Sequence, residues 1–232
     1  MKFKYLIIIS FSYLFFFNPV TSKELEIIKI AYIEIDNDDR YDPDVAYARI
    51  QLKPTGRPFS GAMVAYKESE RLFDILGKKM EMTRISVENI NEVFSKIDEL
   101  VKDSTNFFLV DAEKDFFKNL SKLKSKNLAI FNITEQDNSL RQENCDRRIF
   151  HVIPSYAMLS DSIAQYLVFK NWNKILVLQG PYEKDIEISS SFQNSAKKYG
   201  LEIIEVKDFI LSNDPRKREE NNLALLTTGK KY

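Results

Sequence analysis

The stretch of residues 148–182 reads RIFHVIPSYAMLSDSIAQYLVFKNWNKILVLQGPY, and its pattern of apolar runs predicts the fold class. Its first apolar run, residues 149–153, is rich in β-branched side chains and predicts a strand. Pro154 ends that strand because proline has no backbone N–H to donate. Ser155 suits the N-cap of the helix that follows. That helix is predicted to bury one apolar face, formed by Tyr156, Leu159, Ile163 and Leu167.

A second apolar run, residues 174–178, is closed by Gly180 and Pro181 and predicts the next strand. A strand, a helix and a second strand of this kind predict a right-handed unit in which the two strands pair in parallel. Ligands of open α/β sheets bind at the carboxyl ends of such strands. Residues 154–156 and 179–182 occupy those ends and are therefore candidate binding loops.

The same alternation of strands and helices extends in both directions. Further strands are predicted at residues 27–35, 79–87, 106–111, 127–133 and 201–210. The helix after the first strand is predicted to end at Gly77 and to bury Ala62, Ala65, Ser69, Leu72, Phe73 and Leu76. This alternation predicts an α/β fold with doubly wound parallel sheets.

Polar residues 134–147 interrupt the alternation and divide the chain. We predict an N-terminal α/β lobe over residues 23–145 and a partial second α/β lobe over residues 146–232. Because the second series has at most three strands, it would bury little surface alone. We therefore expect the sequence to be a fragment of a longer protein.

The N-terminus has the pattern of a secretory signal peptide over residues 1–22. Lys2 and Lys4 precede an apolar run at residues 6–17, and small residues follow at 20–22. An uncleaved anchor is the alternative. The later sequence has no apolar stretch long enough to span a bilayer, so no stable membrane insertion is expected after cleavage. These features predict a periplasmic protein.

Charge and motifs exclude several classes of function. The chain has 34 basic and 34 acidic residues, which argues against nucleic acid as a partner. No nucleophile elbow, zinc motif or paired histidines are present, so no catalytic residue, metal site or cofactor is predicted. The acidic residues 36–44 do not match a calcium loop and are predicted to be a solvated loop. The single histidine, His151, is expected to be a core residue.

Several segments together resemble one family. They are GRPFSGA at residues 56–62, DNSLR at 137–141 with Cys145, HVIPSYAM at 151–158, QYL at 165–167, Trp172, and DPRKR at 214–218 with Asn221 and Asn222. Over residues 27–232 the chain resembles type I periplasmic substrate-binding proteins of ABC transporters, of the branched-chain amino acid class. The resemblance is closest to the group associated with PQQ-dependent alcohol dehydrogenase systems. Family members continue well past residue 232.

The resemblance implies a two-lobed Venus flytrap whose second lobe is incomplete here. A small-molecule solute would bind in the cleft, and an ABC transporter permease would recognise the closed state. The cleft would be built from loops after strands. The candidate ligand-binding residues in those loops are Arg57, Asp111, Asn132, Thr134, Ser155 and Tyr182.

Four of these candidates have an alternative structural role. Ser155 would bind a carboxylate or only cap its helix, and Asp111 would hold an amino group or cap the next helix. Arg57 would pair with a carboxylate or remain a solvated loop residue. Tyr182 would pack over the ligand or cover a turn. For the whole chain, the alternatives to a solute-binding protein are an exported α/β enzyme without a recognisable motif and a ligand-sensing, receptor-type binding protein.

Overall fold

The computed structural model describes residues 25–41, 45–46, 50–51, 56–210 and 214–229. The predicted signal peptide at residues 1–22 lies outside these ranges. The strands are β1 (Glu26–Ile35), β2 (Val45–Ala46), β3 (Ile50–Gln51), β4 (Lys78–Val87), β5 (Phe107–Asp111), β6 (Ala129–Asn132), β7 (Ile149–His151), β8 (Lys174–Gln179) and β9 (Glu202–Asp208). The α-helices are α1 (Phe59–Ile75), α2 (Ile90–Lys102), α3 (Lys114–Lys118), α4 (Tyr156–Phe169), α5 (Glu183–Tyr199), α6 (Arg218–Asn221) and α7 (Leu223–Thr227).

A five-stranded parallel sheet in the order β4-β1-β5-β6-β7 forms the first lobe. β1 is an interior strand of this sheet, since Ile30 lies opposite Met82 of β4 on one side and Phe107 of β5 on the other. Its residues Ala31, Tyr32 and Ile33 are almost fully buried. A parallel strand covered on both faces needs such an apolar run, and the prediction of parallel α/β architecture is confirmed.

The main core lies between this sheet and helices α2 and α3. Asn89 begins α2, because its side chain accepts hydrogen bonds from the backbone of Asn91 and Glu92. The apolar residues of these two helices and of the turn after α3 that contact the sheet are Val93, Phe94, Ile97, Phe116, Phe117, Leu120 and Leu123. All of them are buried, as their spacing predicts.

The predicted pairing between the strands at residues 149–153 and 174–178 is wrong. β7 joins the first sheet, where Ile149 lies opposite Ile130 of β6. β8 pairs instead with β9 in a separate two-stranded parallel sheet. A strand-helix-strand sequence looks the same whether the helix connects strands of one sheet or crosses between two sheets. The lobe division at residues 145 and 146 stays a prediction, although the strand just after it belongs to the first sheet.

The second lobe packs α4 and α5 against each other through small side chains. Ser160 and Ala164 of α4 and Ser195 and Ala196 of α5 are all buried. The face that the sequence predicted is therefore only partly right. Tyr156 is buried, but Leu159 and Ile163 are exposed, because the small residues allow the closer helix contact and turn the larger ones outward.

The buried face predicted for α1 is also only partly right. Gly77 follows the helix with a positive φ of 66°, as predicted for a residue beyond the C-cap. Ala65, Leu72 and Leu76 are exposed. The half-buried side faces β4, where the Tyr66 hydroxyl donates to the Met80 carbonyl at 3.2 Å. α1 packs against β4, which is an edge strand of the sheet. The helix therefore covers less of the sheet surface, and fewer of its apolar residues are buried.

Candidate functional site

A compact group of polar side chains lies at the carboxyl ends of β1, β4, β5 and β6. We call it the edge cluster; its members are Tyr32, Glu34, Asp38, Arg40, Tyr41, Arg57, Arg84, Asp111 and Thr134. The carboxyl ends of parallel strands meet at one edge of a sheet, which is why residues far apart in the sequence come together. This is also the position at which α/β sheets bind ligands.

Asp111, the last residue of β5, lies at the centre of the edge cluster and is fully buried. Its carboxylate accepts a hydrogen bond from Arg40 Nη2 at 2.9 Å and one from the Tyr41 hydroxyl at 2.8 Å. The Tyr32 hydroxyl lies 3.5 Å from the second oxygen. Asp111 does not cap α3, whose N-cap residue is Glu113. The carboxylate is therefore held by protein donors.

Arg40 joins three acceptors at the edge of the sheet. Its Nε lies 3.0 Å from each carboxylate oxygen of Asp38, and its Nη1 lies 3.3 Å from the Thr134 hydroxyl. Burial alone would raise the pKa of Asp38, but the hydrogen bonds and charge of Arg40 hold that pKa below its ordinary value. The charges compensate each other, so this loop can pack against the sheet.

The prediction that residues 36–44 form a solvated loop is only partly right for residues 36–41, which the structure describes. Asp36, Asn37 and Asp39 are exposed, but the other three residues pack against the sheet. Residues 39–41 form a 3₁₀ turn, and Asp38 is buried. Tyr41 is half-buried, and burial together with the charge of Asp111 raises the pKa of its phenol. Tyr41 therefore stays neutral at physiological pH and donates to Asp111.

Arg57 is half-buried against the same cluster, so it is not a solvated loop residue. Its Nη1 donates to the Ile35 carbonyl at 2.8 Å and lies 3.6 Å from Glu34 Oε2. The guanidinium carbon stands 4.8 Å from the centre of the Tyr41 ring. Arg84 pairs with the other oxygen of Glu34, from Nε at 2.7 Å. Arg57 and Arg84 thus share one buried carboxylate.

Asn132 fixes the turn that carries Thr134. Its Oδ1 accepts from the backbone N–H of Glu135 at 2.8 Å, and its Nδ2 donates to the Glu135 carbonyl at 2.7 Å. The same Nδ2 lies 2.9 Å from His151 Nδ1. Because Oδ1 is occupied by backbone donors, Nδ2 is the donor and the imidazole nitrogen accepts. Asn132 is fully buried, and its contacts make it a residue that positions the turn.

Ser155 and Tyr182 lie apart from the edge cluster. Ser155 is buried, and its hydroxyl accepts from the Met158 backbone N–H at 3.3 Å, which is the predicted helix cap. Tyr182 precedes α5 and is exposed. The structure therefore brings Arg57, Asp111 and Thr134 together and gives no contact that joins Ser155 or Tyr182 to them.

Lys114 and Asn138 of the first lobe make polar contacts with α5. Lys114 Nζ lies 2.8 Å from Glu183 and 3.0 Å from Glu187, and these hydrogen bonds raise the pKa of the lysine. Asn138 Nδ2 donates to the Ser191 hydroxyl at 2.7 Å. A cavity of about 340 Å³ lies in this region, lined by Asp137, Asn138, Tyr156, Glu187, Ser191 and Asn194, among others. Segments that follow β5 and β6 thus contact α5.

Sequence reasoning missed six members of the edge cluster: Tyr32, Glu34, Asp38, Arg40, Tyr41 and Arg84. One signal was available, because Glu34 is an acid inside the otherwise apolar end of β1. A charged residue at a buried position needs a partner, and two arginines supply it here. Arg40 and Tyr41, which follow β1, carried no comparable signal in the sequence.

Neither a metal centre nor a membrane span is found in the part of the chain that the structure describes. Within it, no three His, Cys, Asp or Glu side chains are grouped so that they could hold a metal ion. In the same residues, no helix is both long and apolar enough to cross a bilayer.

No protein-family model matches this sequence, and no curated protein sequence matches it. Solved structures match the fold. A branched-chain amino acid ABC transporter periplasmic ligand-binding protein from Burkholderia xenovorans is 12% identical with a TM-score of 0.59, and the match covers 80% of this chain and 47% of that one. An ABC transporter substrate-binding protein from Desulfitobacterium hafniense in complex with Leu is 13% identical with a TM-score of 0.57, covering 82% and 52%.

A leucine-, isoleucine-, valine-, threonine- and alanine-binding protein from Brucella ovis in a closed conformation is 15% identical. Its TM-score is 0.53, with 81% of this chain and 47% of that chain covered. The present chain thus spans about half the length of the solved structures that it matches. Identities this low support the fold alone. The chain has the α/β, parallel-sheet fold of type I periplasmic binding proteins, and its described parallel sheets are the five-stranded sheet and the two-stranded β8-β9 sheet.

Proposed function

We propose that this chain belongs to the solute-binding component of an ABC transporter, which traps a small molecule between two lobes and presents it to a membrane permease. The observation that carries the proposal is the edge cluster, a charged group at the ligand-binding edge of a parallel sheet. The fold is shared with binding proteins of such transporters. Because the chain covers about half of their length, the complete trap is part of the proposal.

The ligand would contact side chains from both lobes. Arg57 and Thr134 would face it from the first lobe, with Asp111 and Asn132 holding them in place. Ser155 and Tyr182 would approach it from the beginnings of α4 and α5. Hinge closure would bring the two sets together. No catalytic residue is needed for this function.

The signal-peptide pattern of residues 1–22 supports a periplasmic location. The resemblance to the group associated with PQQ-dependent alcohol dehydrogenase systems supports a solute that arises from alcohol oxidation. A sensing role would use the same cleft with a receptor in place of the permease. Transport by the reconstituted permease would distinguish delivery of the solute from sensing of it.

Calorimetric titration of the full chain with small acids, alcohols and amino acids tests the proposal. We expect saturable binding of one ligand per chain, and a smaller radius of gyration in solution scattering when the ligand is bound. Thr134→Val should weaken binding, because it removes a hydroxyl that lies at the edge of the sheet. Thr228→Val is the matched control, since Thr228 is exposed near the other end of the chain. Chemical turnover of a bound compound would favour the enzyme alternative instead.

A further inference from the structure

We propose that the edge cluster selects ligands that carry a carboxylate and lack an α-amino group. The inference rests on the proposed function, because it specifies the ligand of the same cleft. Three features of the cluster support this selectivity. Its arginines are more exposed than its acids, its acids already accept hydrogen bonds from the protein, and Arg57 has donors that remain available.

The acids of the edge cluster face inward and the arginines face outward. The side chains of Asp111, Glu34 and Asp38 are 0%, 2% and 5% exposed. The side chains that pair with them, Arg40, Arg57 and Arg84, are 25%, 23% and 47% exposed. The cluster has three charges of each sign, and within it the arginines carry most of the accessible charged surface.

The carboxylates of Asp111 and Asp38 have little capacity left for a ligand ammonium group. Glu34 Oε2 has no hydrogen-bond partner among the described residues, but it is buried and lies 3.6 Å from Arg57 Nη1. Asp111 accepts from Arg40 and Tyr41, and Asp38 accepts from Nε and Nη2 of Arg40. An ammonium group would have to displace Arg40 from both acids. Since the guanidinium forms a fork that matches carboxylates and a small ammonium does not, this exchange is unfavourable.

Arg57 keeps most of its donors available. A guanidinium has about five N–H donors. Among the described residues, the one hydrogen bond that Arg57 makes is from Nη1 to the Ile35 carbonyl. The Tyr41 ring and Glu34 hold the group in place from the protein side. A fixed guanidinium with open donors is suited to bidentate binding of a carboxylate.

An α-amino acid would bind this surface less well than the corresponding acid. Its carboxylate would pair with Arg57, but its ammonium, two bonds away from the carboxylate carbon, would lie against Arg57 and Arg40. Like charges placed together in this way reduce affinity. An amine of the same carbon skeleton would have the repulsion without the attraction, and an alcohol would have neither.

Calorimetric titration of the full chain with matched compounds tests this inference. The leucine skeleton supplies isocaproate, leucine, 4-methylpentan-1-amine and isohexanol. Matched sets on the glycine and phenylalanine skeletons extend the test to other ligand sizes. We expect an acid to bind at least about tenfold more tightly than its amino acid, and its affinity to fall as salt is added. The amines should not bind.

The outcomes separate this inference from the proposed function. If an amino acid or an amine binds as tightly as its matched acid, the inference is wrong and a solute-binding function stands. If none of the compounds binds, both are overturned. If the acid binds preferentially and the preference does not depend on Arg57, the inference about the edge cluster is also wrong.

Arg57→Gln provides that last test. It should weaken acid binding by about tenfold or more and bring the affinities of acid and amino acid together. Arg57→Lys keeps the charge and loses the fork, so it should recover part of the preference. Arg216→Gln is the control, because this arginine pairs with Asp214 and its side chain is 89% exposed. Far-UV circular dichroism checks that each variant is folded; if Arg57→Gln is not, the titrations of the unsubstituted chain decide.

Discussion

Removing the Arg40 guanidinium should destabilise the first lobe strongly. Arg40→Met keeps an unbranched apolar side chain but leaves the fully buried Asp111 without its charged partner. Breaking a buried ion pair from one side costs about 3–5 kcal/mol. With a denaturant dependence of about 2 kcal/mol per molar urea, the midpoint of unfolding should fall by about 2 M.

The chain contains its own controls, because the same local arrangement occurs three times among the residues that the structure describes. In the pairs Asp38–Arg40, Asp146–Arg148 and Asp214–Arg216, the arginine backbone N–H and Nε both donate to one oxygen of the aspartate two residues earlier. The arginine side chains are 25%, 13% and 89% exposed, respectively. What differs among the pairs is therefore burial and the additional partners.

The three Arg→Met variants should rank by those partners. Arg148 also donates to the carbonyls of Leu120 and Ser125, at 3.0 and 3.3 Å, so its loss should cost about 2 kcal/mol. Arg216→Met should leave the midpoint unchanged, because exposed ion pairs add little. Urea unfolding followed by far-UV circular dichroism measures all three. Equal shifts for Arg40→Met and Arg216→Met would refute the reasoning.

A double variant tests the cause of the Arg40 effect. Asp111→Asn removes the buried charge while keeping an oxygen that can accept from Tyr41. Combined with Arg40→Met, it should restore more than half of the lost stability, because no uncompensated charge remains. If the double variant is less stable than Arg40→Met alone, the buried charge is not the reason for the loss.

Three further predictions concern other parts of the structure. Burial, and then the charge of Arg141, lower the pKa of His151, so below about pH 6.5 the unfolded chain binds a proton that the folded chain does not. Urea unfolding should therefore show stability falling from about pH 7 to about pH 5, and a His151→Gln variant that falls equally would contradict this assignment. Ser155→Ala should cost about 1 kcal/mol of unfolding free energy through loss of the helix cap, whereas Ser190→Ala on an exposed helix face should cost nothing. Lys114→Gln should leave the thermal midpoint unchanged, because its bridge to Glu183 is solvent-exposed; a fall of several degrees would show that the bridge holds the lobes together.

The sequence was sufficient to predict most strands and helices, but not which of them pack against each other. The strands and helices of the first lobe are recognisable because each apolar run or helical face reports its own burial. The partner of β7 is not recognisable, since an apolar run carries no information about which sheet it joins. The exposed face of α4 was mispredicted for a related reason. Leu159 and Ile163 look like core residues, while the contact with α5 uses serine and alanine.

Because local sequence patterns do not show distant contacts, only some residues of the candidate site could be predicted. Asp111, Asn132 and Thr134 could be proposed because they lie at or just beyond the carboxyl ends of predicted strands, where α/β sheets bind ligands. Arg40 could not, since a charged residue in a polar loop normally indicates solvent. Its role depends on contacts with residues 71 and 94 positions away in the chain, which local patterns do not encode.

That long separation has a consequence for how the protein folds. Every bond from Arg40 to Asp111 or Thr134, and the approach of Tyr32 to Asp111 across 79 positions, needs three strands already in place. Contacts between distant residues close large loops and tend to form after local ones. The edge cluster should therefore assemble after the rate-limiting barrier. Substitutions in it should speed unfolding and leave the folding rate nearly unchanged, so the half-life of the native state depends on the residues of the edge cluster.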